Sequence, residues 1–255
     1  MVIIKALLYM VWAGAAIIVS QLVVGYIMLW MVGAETFVQP ATTAIYSVLS
    51  YLLAMVLIIV VPKLITDKKK ASKKSSRKSK NSVSAKTYLA GIGIKGWPTW
   101  ADIGLAPLGM IVYLLFATAL VALFSLFPWF NAEEVQNVGF NTYISGLDRM
   151  IAFFIIVVVA PIVEEIIFRG WLYSRIKNTL LKKYSKVASI IISNLLVSLG
   201  FGIIHMQWNV GVNVFAMSIV LCAMREITGT IYSGILLHML KNGVAFYLLY
   251  VLGIQ

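Results

Sequence analysis

The sequence predicts an all-α, polytopic transmembrane bundle of seven to eight helices, on three observations. Of 255 residues, 61% are hydrophobic and 12% charged, where a soluble domain runs near half apolar and a quarter charged. The apolar residues fall in long runs, each close to the ~20 residues that cross a bilayer as a helix. The charge is segregated: much of the net +12 at pH 7 sits between apolar runs, where positive charge sets topology. That distribution argues against nucleic acid as a partner. The one cysteine, Cys222, lies in an apolar run. It supports neither a disulfide framework nor a Cys-based zinc site and reads as a small core residue.

The first apolar run, Ala6 to Val32, is longer than a signal-peptide core and lacks a small-x-small cleavage site, so it reads as a retained anchor. The first span covers Leu7 to Met31 and the second Thr43 to Pro62. The stretch Lys63 to Lys86 is rich in Lys and Ser with one acid, Asp67. It is expected to be disordered, to lie in the cytoplasm with the N-terminus, and to attract anionic lipid headgroups. Tyr88 to Leu108, broken by Gly, Trp and Pro, reads as an interfacial segment leading back to the membrane. The third span follows at Gly109 to Phe127. The loop Pro128 to Asp148 carries Glu133 and Glu134 without Lys or Arg, which fits the outer side with solvated acids. The fourth span starts near Arg149 and ends in a basic stretch that includes Arg175, Lys177, Lys182 and Lys183. Spans five to seven cover Val187 to Met206, Val210 to Met224 and Ile231 to Leu252. An eighth arises if the first span or Tyr88 to Leu108 is divided differently.

The functional signal is PIVEEIIFRGWLY, Pro161 to Tyr173. Ionisable groups in a membrane-spanning helix are costly and mark function by default. Glu165 and Arg169 are four apart, so on a helix they form an ion pair. Glu164 points about 100° away and is left as the freer carboxylate. The only two histidines, His205 and His238, both lie in apolar spans. His238 and Asn242 are four apart and project from one face as a polar pair. With the turn between the fourth and fifth spans near Lys183 to Lys186, Glu164 and His205 each lie ~28 Å from it at 1.5 Å per residue, which brings them level. The apolar run itself ends just after the glutamates, which would put them near the cytoplasmic boundary. Phe201 and Asn194 are candidate cavity-lining residues, with packing and interhelical hydrogen bonds as the alternatives.

Glu164, Glu165 and Arg169 as EExxxR, Phe201 and His205 as FxxxH, and His238 and Asn242 as HxxxN, in that order, resemble the CAAX protease and bacteriocin-processing family. This family includes the type II CAAX prenyl endopeptidases. The resemblance covers about the C-terminal 110 residues and implies an intramembrane protease. With the spans read from hydropathy, residues 1–62 form an N-terminal two-helix segment, 63–100 a basic loop and interfacial segment, and 101–255 the catalytic core of a single membrane domain. The resemblance implies that Glu164 activates a water with help from His205. His238 and Asn242 stabilise the oxyanion, and Glu165 with Arg169 supports the helix. A metal-free reaction is favoured, since no HExxH helix is present; zinc held by Glu164, His205 and His238 is the alternative. The partners implied are a peptide or membrane-protein substrate and the bilayer, in a bacterial-type cytoplasmic membrane. A non-catalytic membrane scaffold or immunity protein, and a proton-coupled transporter, are the rival functions.

Overall fold

A computed structural model describes residues 1–65, 85–134 and 146–253. Most of Lys63 to Lys86, and part of the loop Pro128 to Asp148, lie outside these residues. Among the described residues the chain is helical, with no strand. Seven helices are long and apolar enough to cross a membrane: α1 Val2–Phe37, α2 Pro40–Ile65, α4 Trp100–Phe124, α5 Gly146–Leu180, α6 Lys186–Ile203, α7 Trp208–Thr228 and α8 Tyr232–Val251. The short α3, Ala85–Gly91, precedes α4. An all-helical architecture with seven candidate spans is what composition and hydropathy predict.

The start of α4 differs from the expected Gly109. Thr99 accepts from the Asp102 backbone N–H, and Asp102 Oδ2 accepts from the Thr99 N–H at 2.8 Å. This reciprocal capping box satisfies two donors that a helix start leaves open. The helix therefore begins at Trp100 and carries Pro107 inside it. The other oxygen of buried Asp102 accepts from Thr230 Oγ1 at 2.7 Å, just ahead of α8. One carboxylate thus ties the beginnings of α4 and α8 together. Gly109 is needed for that packing: a Cβ there would stand 2.5 Å from Leu237 and 2.8 Å from the Met224 sulfur.

α7 lies at the centre, packed most extensively on α6 and α4, and α8 completes the group against α4. Its residues Met217, Leu221 and Cys222 are fully buried. α1 and α2 form a second layer, packed on each other and, through α1, on the last turns of α5. The segment after α3 is fastened to the same end of the bundle. Gly93 O accepts from Ile231 N at 3.1 Å, and Gly96 O from Tyr232 at 2.8 Å. Glu226 is paired with Lys177, which links α7 to the basic end of α5.

α5 bears on the depth conflict. It is 35 residues long, about 50 Å at 1.5 Å per residue, more than the ~30 Å hydrocarbon core. Its apolar environment does not stop at the glutamates, because Ile167 to Tyr173 are all buried. Arg169 breaks the hydropathy pattern without breaking the span, since its charge is paired inside the protein. α5 is also irregular: it is π-helical over Phe154–Val159 and again over Ile166–Leu172, with one α-helical stretch, Ala160–Glu165, between. The glutamates sit on that stretch, and π segments inside α-helices are frequent at functional sites.

Candidate active site

A cavity of about 930 Å³ is lined by Glu164 and Ile156 of α5, Tyr51 and Ser47 of α2, His205 beyond the end of α6, and His238, Lys241 and Asn242 of α8. It extends along α8 to Leu249 and Tyr250, and its rim carries Ala132, Glu133 and Glu134. The expected catalytic residues Glu164, His205, His238 and Asn242 are therefore brought to one space.

The two adjacent glutamates have different surroundings. Glu165 is fully buried, and its Oε1 accepts from Arg169 Nη1 at 2.8 Å. The same oxygen stands 3.1 Å from His238 Nδ1. The i, i+4 ion pair read from the spacing is present, and the Arg169 guanidinium lies 4.5 Å over the Phe201 ring. The contact with His238 adds something the spacing did not reveal. Glu165 holds the imidazole as well as the helix. Gly234 makes room for it, since a Cβ there would meet Glu165 Oε2 at 3.1 Å.

Glu164 is turned toward the cavity. Its Oε1 accepts from Tyr51 at 3.0 Å, and its Oε2 lies 3.8 Å from His238 Nε2. His238 thus stands between the carboxylates. With its proton on Nδ1 it donates to Glu165, and a second proton on Nε2 would face Glu164.

His205 Nδ1 pairs with the Phe201 carbonyl at 2.8 Å, which leaves Nε2 as the nitrogen without a backbone partner. The residue after it, Met206, has φ 55°, a left-handed conformation that costs a non-glycine residue about 1–2 kcal/mol. The strained turn ends α6 and holds His205 against the cavity. Burial lowers the His205 pKa below its ordinary value, with the Glu164 charge opposing the shift, so the neutral ring is favoured.

Asn242 has a structural bond that sequence reasoning did not anticipate. In the π-helical stretch the Ala160 N–H bonds to the Ile155 carbonyl. The Ile156 carbonyl would next pair with residue 161, which is proline and has no N–H. Asn242 Nδ2 supplies the missing donor at 3.0 Å. Its amide nitrogen keeps a second N–H, and Asn242 lines the cavity.

Phe201 and Asn194 are not among the residues that line the cavity. Phe201 is fully buried and packs edge-on against Phe168, His205 and His238. Asn194 donates to the Ile219 carbonyl at 3.1 Å and accepts from Ser198, an interhelical tie of the kind membrane bundles use. Among the described residues no three His, Cys, Asp or Glu side chains are grouped so as to hold a metal ion. Glu164, His205 and His238 as placed therefore do not fit the zinc alternative.

Tyr51 and Lys241 are cavity residues with chemistry that sequence reasoning missed. Tyr51 lies on α2, one turn after Ser47, and no spacing in the sequence links it to Glu164. Lys241 did carry a signal, a lysine in the middle of the last apolar span. Glu133 and Glu134 are exposed as expected, but they also border the cavity.

Fold and site together define an α-helical integral membrane protein with carboxylates and imidazoles around a cavity between its candidate spans. Residues 146–244 match the family described as Rce1-like, Type II CAAX prenyl endopeptidase Rce1-like. That match takes in every motif residue and agrees with the resemblance to the CAAX protease and bacteriocin-processing family. No curated protein and no solved structure matches the chain.

Proposed function

We propose that the protein is an intramembrane endopeptidase that hydrolyses a peptide bond with a glutamate-activated water. The observation that carries this reading is the division of labour between adjacent glutamates. Glu165 is committed to Arg169 and His238, while Glu164 is held by one hydroxyl and faces the cavity. A general base needs this access to a water, and the developing oxyanion needs donors fixed beforehand.

In the reaction Glu164 takes a proton from water as the water oxygen attacks the carbonyl carbon. His238 and the second Asn242 N–H face the oxyanion. The proton then passes to the leaving amine from Glu164, with neutral His205 beside it as a relay. The reaction proceeds without a metal. The substrate is a peptide or a membrane protein, and the task is peptide or bacteriocin processing, self-immunity or membrane-protein cleavage. The charge pattern supports a bacterial cytoplasmic membrane, with the N-terminus and Lys63 to Lys86 inside and near anionic headgroups.

The test compares membrane peptidomes of cells carrying the wild type and Glu164→Gln. Fragments present only with the wild type support the reading; identical peptidomes sink it. Cleavage by the purified protein that a strong chelator abolishes and zinc restores would overturn the metal-free part alone.

A further inference from the structure

Lys241 lines the cavity, and the hydrolysis described above gives it no task. It lies three residues after His238 and one before Asn242, on a stripe of α8 that continues along the cavity wall through Ala245, Leu248 and Leu249. It is the only lysine or arginine among the described lining residues. Among the described residues it makes no hydrogen bond and no ion pair within 4.0 Å; the charge that attracts it is Glu164.

Two plain explanations do not account for it. A lysine near the end of a span can carry its ammonium to the interface. Lys241 is in the middle of Tyr232–Val251, about 14 Å from either end at 1.5 Å per residue. A lysine kept to neutralise Glu164 would be bonded to it, yet the contacts of Glu164 are Tyr51 and His238. What remains is a cation at membrane depth, open to the cavity and without a bonded counter-ion, which is costly unless something that enters the cavity pairs with it.

The placement gives a direction. α8 runs from His238 toward the rim that bears Glu133 and Glu134, so Lys241 is one turn nearer the rim than His238. Glu133 and Glu134 stand at the rim and Glu164 inside, so Lys241 is the one place in the described lining where an anionic group of a peptide meets a Lys or Arg cation.

We propose that Lys241 is a specificity-determining residue whose ammonium binds a carboxylate of the substrate, selecting peptides with an acidic group near the scissile bond. The inference rests on the endopeptidase reading. The carboxylate is either an Asp or Glu side chain or a free C-terminus, since both present the same anion.

The test uses the full chain in detergent micelles and synthetic randomised peptide pools, with cleaved bonds mapped by mass spectrometry. One pool has a free C-terminus and no Asp or Glu. The second is C-terminally amidated with one Asp or Glu, the third amidated with neither, and the fourth amidated with one Lys. The wild type is expected to cleave the first or second pool at least about tenfold faster than the third, the worth of one charge-assisted hydrogen bond. Which of the two is favoured identifies the source of the carboxylate. K241Q should lose that advantage, K241R should keep it, and K241E should favour the lysine pool. Retention of the preference by K241Q, or an equal slowing of every pool, overturns the proposal, the latter because Lys241 would then serve Glu164. A melting curve checks that K241Q is folded; where it is not, K241R against K241E decides. Should the wild type cleave no pool, or E164Q cleave as it does, the endopeptidase reading falls and the inference with it. Glu164-dependent cleavage with no acidic preference removes only the inference.

Discussion

Tyr51 and Glu164 are 113 residues apart in the chain, and their side chains meet at 3.0 Å. The phenol belongs to α2, outside the segment that matches the endopeptidase family. The N-terminal helices therefore contribute to the site and do more than anchor it. Replacing Tyr51 with Phe keeps the ring and removes the donor. A hydrogen bond to a charged group is worth about 1.5–3 kcal/mol, so kcat/KM should fall about 10- to 100-fold with the melting temperature little changed. A wild-type rate would mean that the phenol does not position Glu164.

The buried pair predicts an uneven response. Arg169→Met leaves Glu165 charged and unmatched, and should cost about 3–5 kcal/mol of stability, seen as a large drop in melting temperature. Glu165→Leu combined with Arg169→Met replaces both charges with apolar groups and should recover much of that loss. The double variant should still be inactive, because His238 Nδ1 has lost its acceptor. Full activity in the double variant would show that His238 is oriented by other means.

Asn242 can be tested through proline. Asn242→Ala strands the Ile156 carbonyl and should destabilise the protein by about 1–3 kcal/mol. Adding Pro161→Ala returns a backbone N–H next to that carbonyl and should restore part of the stability. Activity should stay low, since the cavity still lacks the amide. A double variant no more stable than Asn242→Ala would mean that the proline is not the reason for the orphaned acceptor.

His205 sets an expectation for pH. Its pKa is lowered by burial, so as pH falls the ring stays neutral past about 6.5, where a free imidazole protonates. The rate that depends on neutral His205 should persist through that value and decline only at lower pH. The sign for stability is the same. The unfolded chain binds its proton first, so stability is present above about 6.5 and is lost progressively below it. A kcat/KM profile whose acid limb sits above 6.5 would argue against a neutral His205.

Features that are local or periodic were readable in advance. The spans follow from hydropathy. The Glu165–Arg169 pair follows from four-residue spacing, and the shared level of Glu164 and His205 from counting both ways from a turn. Contacts between helices distant in sequence were not readable. Tyr51 sits in a span that gives it no distinguishing pattern, and His238 could not be assigned to Glu165 before α8 was docked. The start of α4 was missed because Thr99 and Asp102 form a capping box inside a stretch judged only by its glycines and proline. Phe201 and Asn194 were ambiguous by chemistry, since a residue polar or aromatic enough to line a cavity can equally pack a helix interface.

The closeness of Glu165 and Arg169 on one helix also bears on how the chain enters a bilayer. Charges paired across helices would have to be inserted separately, each bare until its partner arrived. These two face each other within one turn of α5, so the helix can carry this pair across with its charges already matched before α6, α7 and α8 have been synthesised. His238 comes later, on the last span, and finds the carboxylate already in place. The pair that later orients an imidazole thus first serves as a passport for the span that carries the base.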